Sequence, residues 1–142
     1  MNTKVSKVPY VAIAVKDMHK AADFFANTFG GEIVSKGTVE EELYLDCMVK
    51  IGDFCLYLME PMSEDSVIGR YISKHGEGLH HLCFTFQDPK LALAELREKG
   101  LRVNSIYFEA DDIELAFMHP KDAYGVLLEL TPETVPLRTN LS

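Results

Sequence analysis

Gly78-Leu79-His80-His81-Leu82-Cys83-Phe84-Thr85-Phe86 is the stretch on which the reading of this chain turns. It has the period-two alternation of a β-strand. Leu82, Phe84 and Phe86 form a bulky apolar face suited to packing under a helix, and His81, Cys83 and Thr85 point the other way. Near the end of the chain, Val126-Leu127-Leu128-Glu129-Leu130 repeats the pattern with a carboxylate, Glu129, opposite in phase to Val126, Leu128 and Leu130. A histidine and a glutamate on strand faces that otherwise read as buried are costly unless paired or bound. These two positions are the primary candidates for chemistry.

Working outward, the strand at His81 has a partner in the first half of the chain. Tyr10-Val11-Ala12-Ile13-Ala14-Val15-Lys16-Asp17 aligns with His81-Leu82-Cys83-Phe84-Thr85-Phe86-Gln87-Asp88 at an offset of 81 − 10 = 71. Phe54–Leu58 aligns with Val126–Leu130 at 129 − 57 = 72. Each Asp then caps a helix. Asp17 opens one running to Phe29, with Ala21, Phe25 and Phe29 on one stripe and Gly30-Gly31 as its stop, and Asp88-Pro89 opens one ending at Lys99-Gly100. Strands are predicted at Val8–Val15, Glu32–Ser35, Glu40–Ile51, Phe54–Met59, Leu79–Phe86, Arg102–Phe108, Ile113–Met118 and Val126–Thr131, with a short helix capped by Ser63 in the connection. The fold class is therefore α+β: two tandem βαβββ modules, about 8–60 and 79–131, forming a curved mixed sheet around a cleft. The whole chain, 1–142, reads as one domain with a frayed start at residues 1–7 and a flexible tail at 132–142. If the modules pair with two-fold symmetry, Tyr10, Tyr57, His81 and Glu129 converge on the cleft.

Composition excludes several classes of function. The length of 142 residues suits one ordinary domain, no apolar run reaches the length of a bilayer span, and the start Met1-Asn2-Thr3-Lys4 has no signal-peptide core. A net charge of −8 without a basic run argues against nucleic acid as a partner. Cys47, Cys55 and Cys83 lack CxxC spacing and read as buried thiols of a reducing compartment, so a cytoplasmic protein is expected.

The chain resembles the vicinal oxygen chelate superfamily, the group of glyoxalase I and the bleomycin resistance proteins, and within it the methylmalonyl-CoA epimerase family. The resembling segments are Val11–Asp17, Pro61–Ser66, Gly76–Phe84, Ala116–Lys121 and Gly125–Leu130. The resemblance implies a homodimer and a divalent metal held by one ligand from each of four strands. His81 and Glu129 match two of those ligands, but the other two, normally a histidine and a glutamate or glutamine, are here Tyr10 and Tyr57. A neutral phenol, with a pKa of about 10, is a poor ligand, so any metal held by His81 and Glu129 alone is weakly bound. Glu41 matches a glutamate to which the family assigns proton transfer; a solvated acidic edge is the other reading of Glu40-Glu41-Glu42. Asn104–Asp112 stands where the family carries a glycine-rich loop, which bears on the acyl-CoA substrate.

Proton transfer next to a carbonyl needs a base, an acid and a partner for the enolate oxygen. Glu129 and Glu41 are the candidates for the first two roles, and Tyr10, Tyr57 and His81 for the third. The expected function is an epimerase-like isomerase acting on a small molecule such as an acyl thioester. The alternatives are a metal-free small-molecule-binding protein of the resistance type, a diverged lyase, or a satisfied polar cluster in which Tyr57 bonds Glu129 and Tyr10 bonds His81. His80 is assigned to packing or its strand's edge, His119 to the cleft mouth or a turn cap, and His19 and His75 to solvated helix faces.

Overall fold

A computed structural model describes residues 3–108 and 113–133. The acidic segment Glu109–Asp112 and the tail beyond Glu133 lie outside the described residues. The element order is β1 (Val11–Ala14), α1 (Met18–Phe29), β2 (Glu32–Val39), β3 (Tyr44–Ile51), β4 (Phe54–Pro61), α2 (Val67–His75), β5 (Gly78–Phe86), α3 (Pro89–Glu98), β6 (Val103–Phe108), β7 (Ile113–Met118) and β8 (Leu128–Pro132). This is the expected α+β pattern, with βαβββ twice. The described residues form two compact units: Tyr10–His80, and 3–9 with those of 81–133. No helix among the described residues is long and apolar enough to cross a membrane.

In the first unit the strands run in the order β2-β3-β4-β1, antiparallel except for the parallel β1–β4 pair. Alternation along each strand sorts two faces. Val15, Cys47, Val49 and Leu58 pack with Ile13, Leu45 and Leu56 under Met18, Ala22 and Phe25 of α1. Removing such side chains from water stabilises the fold by about 1.5–3 kcal/mol each for the larger ones. The opposite face carries Ala12, Ala14, Asp46, Met48, Tyr57 and Met59. Asp17 caps α1 as expected, its side chain accepting from the Lys20 N–H, and Gly30 ends the helix in the left-handed region at φ 70°. Phe29 departs from the expected stripe and is 61% exposed. Steps of four residues advance 400°, so two steps from Ala21 rotate Phe29 about 80° off the sheet.

The second unit repeats the plan in the order β5-β8-β7-β6. Phe86, Val103, Ala116, Met118 and Leu130 pack under Ala92, Leu93 and Leu96 of α3, which Asp88 and Pro89 start as expected. The N-terminus is not frayed over its whole length. Ser6 and Lys7 bond to Thr85 of β5 (Ser6 N to Thr85 O 2.9 Å, Thr85 N to Lys7 O 3.0 Å), and Val5 packs against the core. The repeat extends to strand register. Ala12 pairs with Tyr57 and Cys83 with Glu129, at the same offsets of 83 − 12 = 71 and 129 − 57 = 72.

Two further expectations are corrected. The strand expected from Glu40 begins at Tyr44, and Glu40–Leu43 form a turn that Leu43 closes at φ 55°. The cap of α2 is Ser66, not Ser63; its Oγ accepts from the Gly69 N–H at 3.0 Å. The Ser63 carbonyl accepts from both the N–H and the Oγ of Ser66, which folds the preceding turn over the first turn of α2. A methyl group on Gly69 would meet the Ser63 and Glu64 carbonyl oxygens well inside contact distance. Backbone cannot yield as a side-chain end can, so Gly69→Ala is expected to destabilise by about 3 kcal/mol. In a thermal melt that is a Tm lower by roughly 6–10 °C; a change under 2 °C would show that the turn moves freely.

Candidate functional site

In the second unit the polar face of β5 and β8 is buried. His81, Cys83, Thr85, Glu129 and Thr131 are each at most 7% exposed. Strand pairing sets them side by side, with Cys83 opposite Glu129 and Thr85 opposite Thr131, while Phe117 of β7 flanks Glu129 on the other side. His81 Nε2 lies 2.8 Å from Glu129 Oε2. At that distance both groups can address one bound atom. Cys83 Sγ lies 4.0 Å from Glu129 Oε1 and 3.6 Å from Thr131 Oγ1. The Phe117 ring meets the imidazole edge-on at 5.8 Å, which fixes the ring's plane. A carboxylate this deep in an apolar sheet is costly unless other polar groups or a ligand engage it.

The corresponding face of the first unit is built from phenols. Tyr57 donates its hydroxyl proton to Asp46 Oδ2 at 2.7 Å. The Tyr44 hydroxyl lies 3.1 Å from the Tyr57 oxygen. Since the Tyr57 proton is given to Asp46, Tyr44 is the donor in that contact. The Tyr10 ring packs on Tyr57 at 5.1 Å. Part of the Tyr57 residue is reached by solvent, but its hydroxyl is enclosed. Burial first, then Tyr44 and the Asp46 carboxylate, hold this phenol well above its ordinary value of 10.0. Tyr57 therefore bonds Asp46 rather than the expected Glu129, and it has no proton left to give a substrate oxyanion. Asp46 and Tyr44 were not among the candidates from sequence. The signal was present: Tyr44, Asp46 and Met48 alternate with Leu45, Cys47 and Val49, as His81 and Glu129 do in their strands.

Other expected positions resolve into support or surface. Glu41 is exposed, in the β2–β3 turn. His119 caps the short turn Pro120–Asp122, accepting from the Lys121 N–H at 3.1 Å. His80 packs against Tyr71, ring centroids 4.6 Å apart, and Tyr71 donates to the Leu79 carbonyl at 2.6 Å. His19 and His75 are exposed. Glu77 accepts from the Lys16 N–H, and Glu60 from the Met18 N–H, both at 2.8 Å, so two carboxylates secure the entry to α1. Hydrogen bonds from Arg102 hold the Asp122 carboxyl down at about 2 and tie β6 to the Pro120 turn. Burial pushes the Cys47 thiol up, as befits an inert core residue.

The divalent metal that the resemblance implies calls for several oxygen or nitrogen donors on one atom. Among the described residues, no group of three or more His, Cys, Asp or Glu side chains is arranged to hold one. His81 and Glu129 stand ready as two donors, but at the Tyr57 position the oxygen keeps its proton and is already engaged by Asp46 and Tyr44. A four-ligand centre does not fit these residues.

A profile of the glyoxalase/bleomycin resistance protein/dioxygenase superfamily matches residues 10–117. The chain belongs to that superfamily. Human mitochondrial methylmalonyl-CoA epimerase is 32% identical over 89% of this chain and 73% of its own length. The ethylmalonyl-CoA/methylmalonyl-CoA epimerase of Cereibacter sphaeroides is 30% identical over 89% of this chain and 97% of its own. Among solved structures, a variant of the Streptomyces coelicolor methylmalonyl-CoA epimerase in complex with 2-nitronate-propionyl-CoA covers 93% of this chain and 100% of its own. Its TM-score is 0.83 at 32% identity. A methylmalonyl-CoA epimerase in complex with methylmalonyl-CoA and an ammonium ion gives the same TM-score of 0.83. The epimerase-like isomerase read from the motifs agrees with these relatives.

Proposed function

We propose that the chain moves a proton at the carbon next to the carbonyl of an acyl thioester, without a divalent metal. The observation that carries the proposal is the buried His81–Glu129 pair, with Oε2 2.8 Å from the imidazole and Oε1 beside Cys83. Glu129 takes the α-proton, and the C–H electron pair moves onto the thioester oxygen to form an enolate. A hydrogen bond from His81 stabilises that oxygen in place of a metal. A proton from solvent is delivered to the opposite face of the carbon, and Glu129 releases the one it took to solvent. Nothing is oxidised or reduced. The relatives support the reaction class, and the phenols of the first unit support the absence of a metal from the step. The proposal includes a cytoplasmic homodimer, for which the one-sided pairing of β2 and β6 leaves strand edges.

The test is deuterium incorporation at the α-carbon of acyl-CoA thioesters in heavy water, followed by NMR with a chelator present. Exchange that chelator leaves unchanged is expected. Exchange abolished by chelator and restored by a divalent ion would refute the metal-free step. Tight thioester binding with no exchange would instead favour a binding protein of the resistance type.

A further inference from the structure

We propose that Cys83 and Thr131 are positioning residues for Glu129: they hold one carboxylate oxygen, Oε1, so that the other, Oε2 beside His81, is the one that takes the α-proton. This deepens the proposed function and rests on it for the role of Glu129 as the base. Three observations carry it.

The first is contact. Strand register puts Cys83 opposite Glu129; the Cys83 Sγ lies 4.0 Å from Oε1, while Oε2 lies 2.8 Å from His81 Nε2. The two oxygens thus have different neighbours, and the carboxylate is not free to exchange them. The thiol is the donor in its contact, because an ionised carboxylate only accepts, and a charged acceptor draws the S–H more strongly than the neutral Thr131 hydroxyl does. The second is support. The Thr131 Oγ1 lies 3.6 Å from the sulfur and 3.3 Å from the Pro132 carbonyl oxygen, so the hydroxyl is anchored to its own strand while it touches the thiol. Cys83 and Thr131 are 1% and 0% exposed, and close packing leaves neither side chain room to swing away. The third is the repeat. At the offsets of 71 and 72 the first unit carries Ala12 and Met59 in these two places, both buried, with Tyr57 in the place of Glu129. The same strand pair is therefore built with apolar side chains where the Glu129 position holds a phenol. The thiol and the hydroxyl accompany the carboxylate, and a base held in register is worth the effort: a misplacement of about 1 Å can cost a hundredfold in rate.

Two measurements test it. The infrared S–H stretch reads the contact without requiring turnover. The Cys83 band, assigned by its loss in Cys83→Ala, is expected to move to higher frequency in Glu129→Gln, because an amide is a weaker acceptor than a carboxylate. Deuterium exchange at the α-carbon of acyl-CoA thioesters reads the consequence. Cys83→Ala, which installs the first unit's residue type, is expected to lower kcat about tenfold with KM within twofold. Cys83→Ser keeps a donor and should recover most of that loss. Thr131→Val keeps the shape, removes the hydroxyl and should lower kcat about threefold. A pair that served folding alone would lower Tm in these variants and leave kcat of the folded protein unchanged. A kcat within twofold of the unmodified chain in Cys83→Ala, equal losses in the alanine and serine variants, or a band that Glu129→Gln leaves in place would overturn the inference. If the unmodified chain exchanges no thioester, the proposed reaction fails; a band that still moves in Glu129→Gln would leave the hold on Oε1 standing.

Discussion

Replacing Glu129 with glutamine is expected to slow α-proton exchange by about 10²- to 10⁴-fold, the range supplied by a positioned general base. The substitution keeps the side chain's volume and removes its capacity to take a proton. Its site is prepared for a group of that shape: Cys83 opposite it on β5, Phe117 opposite it on β7, and Thr131 beyond. The loss should fall on kcat with KM nearly unchanged, because the base acts in the transition state rather than in substrate binding. A thermal melt of the variant, with thioester affinity measured alongside, separates lost chemistry from lost folding. His81→Asn tests the neighbouring role and should cost less, since the asparagine amide keeps a donor for the enolate oxygen. If the Glu129→Gln variant exchanges within tenfold of the unmodified chain, Glu129 is not the base, and the His81–Glu129 contact is a structural pair.

The parts of the fold that were legible in advance are those governed by local periodicity and caps. Asp17 and Asp88-Pro89 begin their helices where a capping carboxylate predicts, and the 71- and 72-residue offsets reappear as strand pairing. The misread segments lack such a signal. The Glu40–Leu43 turn contains neither glycine nor proline and closes through a leucine at φ 55°, so nothing in its composition separates it from the strand that follows. Ser63 and Ser66 are both credible caps; tertiary packing over Gly69 decides between them. The polar start of the chain looks unable to order itself, yet Ser6 gains both backbone and hydroxyl bonds to Thr85. At the site, one-residue alternation was enough to place His81 and Glu129 on a common polar face. It was not enough to find the partner of Tyr57. That depends on how β3 registers against β4, where Met48 stands opposite Tyr57 and Asp46 one step along the same face. Cross-strand register is a property of the pair, and no single strand's sequence states it.

Tyr57→Phe is expected to destabilise the chain by about 2–3 kcal/mol at pH 7, the range for a hydrogen bond to a charged buried group. The ring remains, so its packing with Tyr10 is retained. What is lost is the 2.7 Å bond that solvates Asp46, together with an acceptor for Tyr44. The pH dependence identifies the cause. Tyr57 in the folded chain keeps its proton well above 10.0, while in the unfolded chain it releases it near that value. Above about pH 10 the folded state thus holds more protons than the unfolded state, and stability falls as pH rises. Its contribution is fully present below the unfolded value and is lost as pH climbs through the folded one. Denaturant unfolding at pH 7, 9, 10 and 11 should therefore show a constant gap between the two proteins up to about pH 9–10, narrowing beyond it. A gap that stays level to pH 11 would mean that Tyr57 titrates alike in both states. The bond to Asp46 would then not hold the phenol's proton.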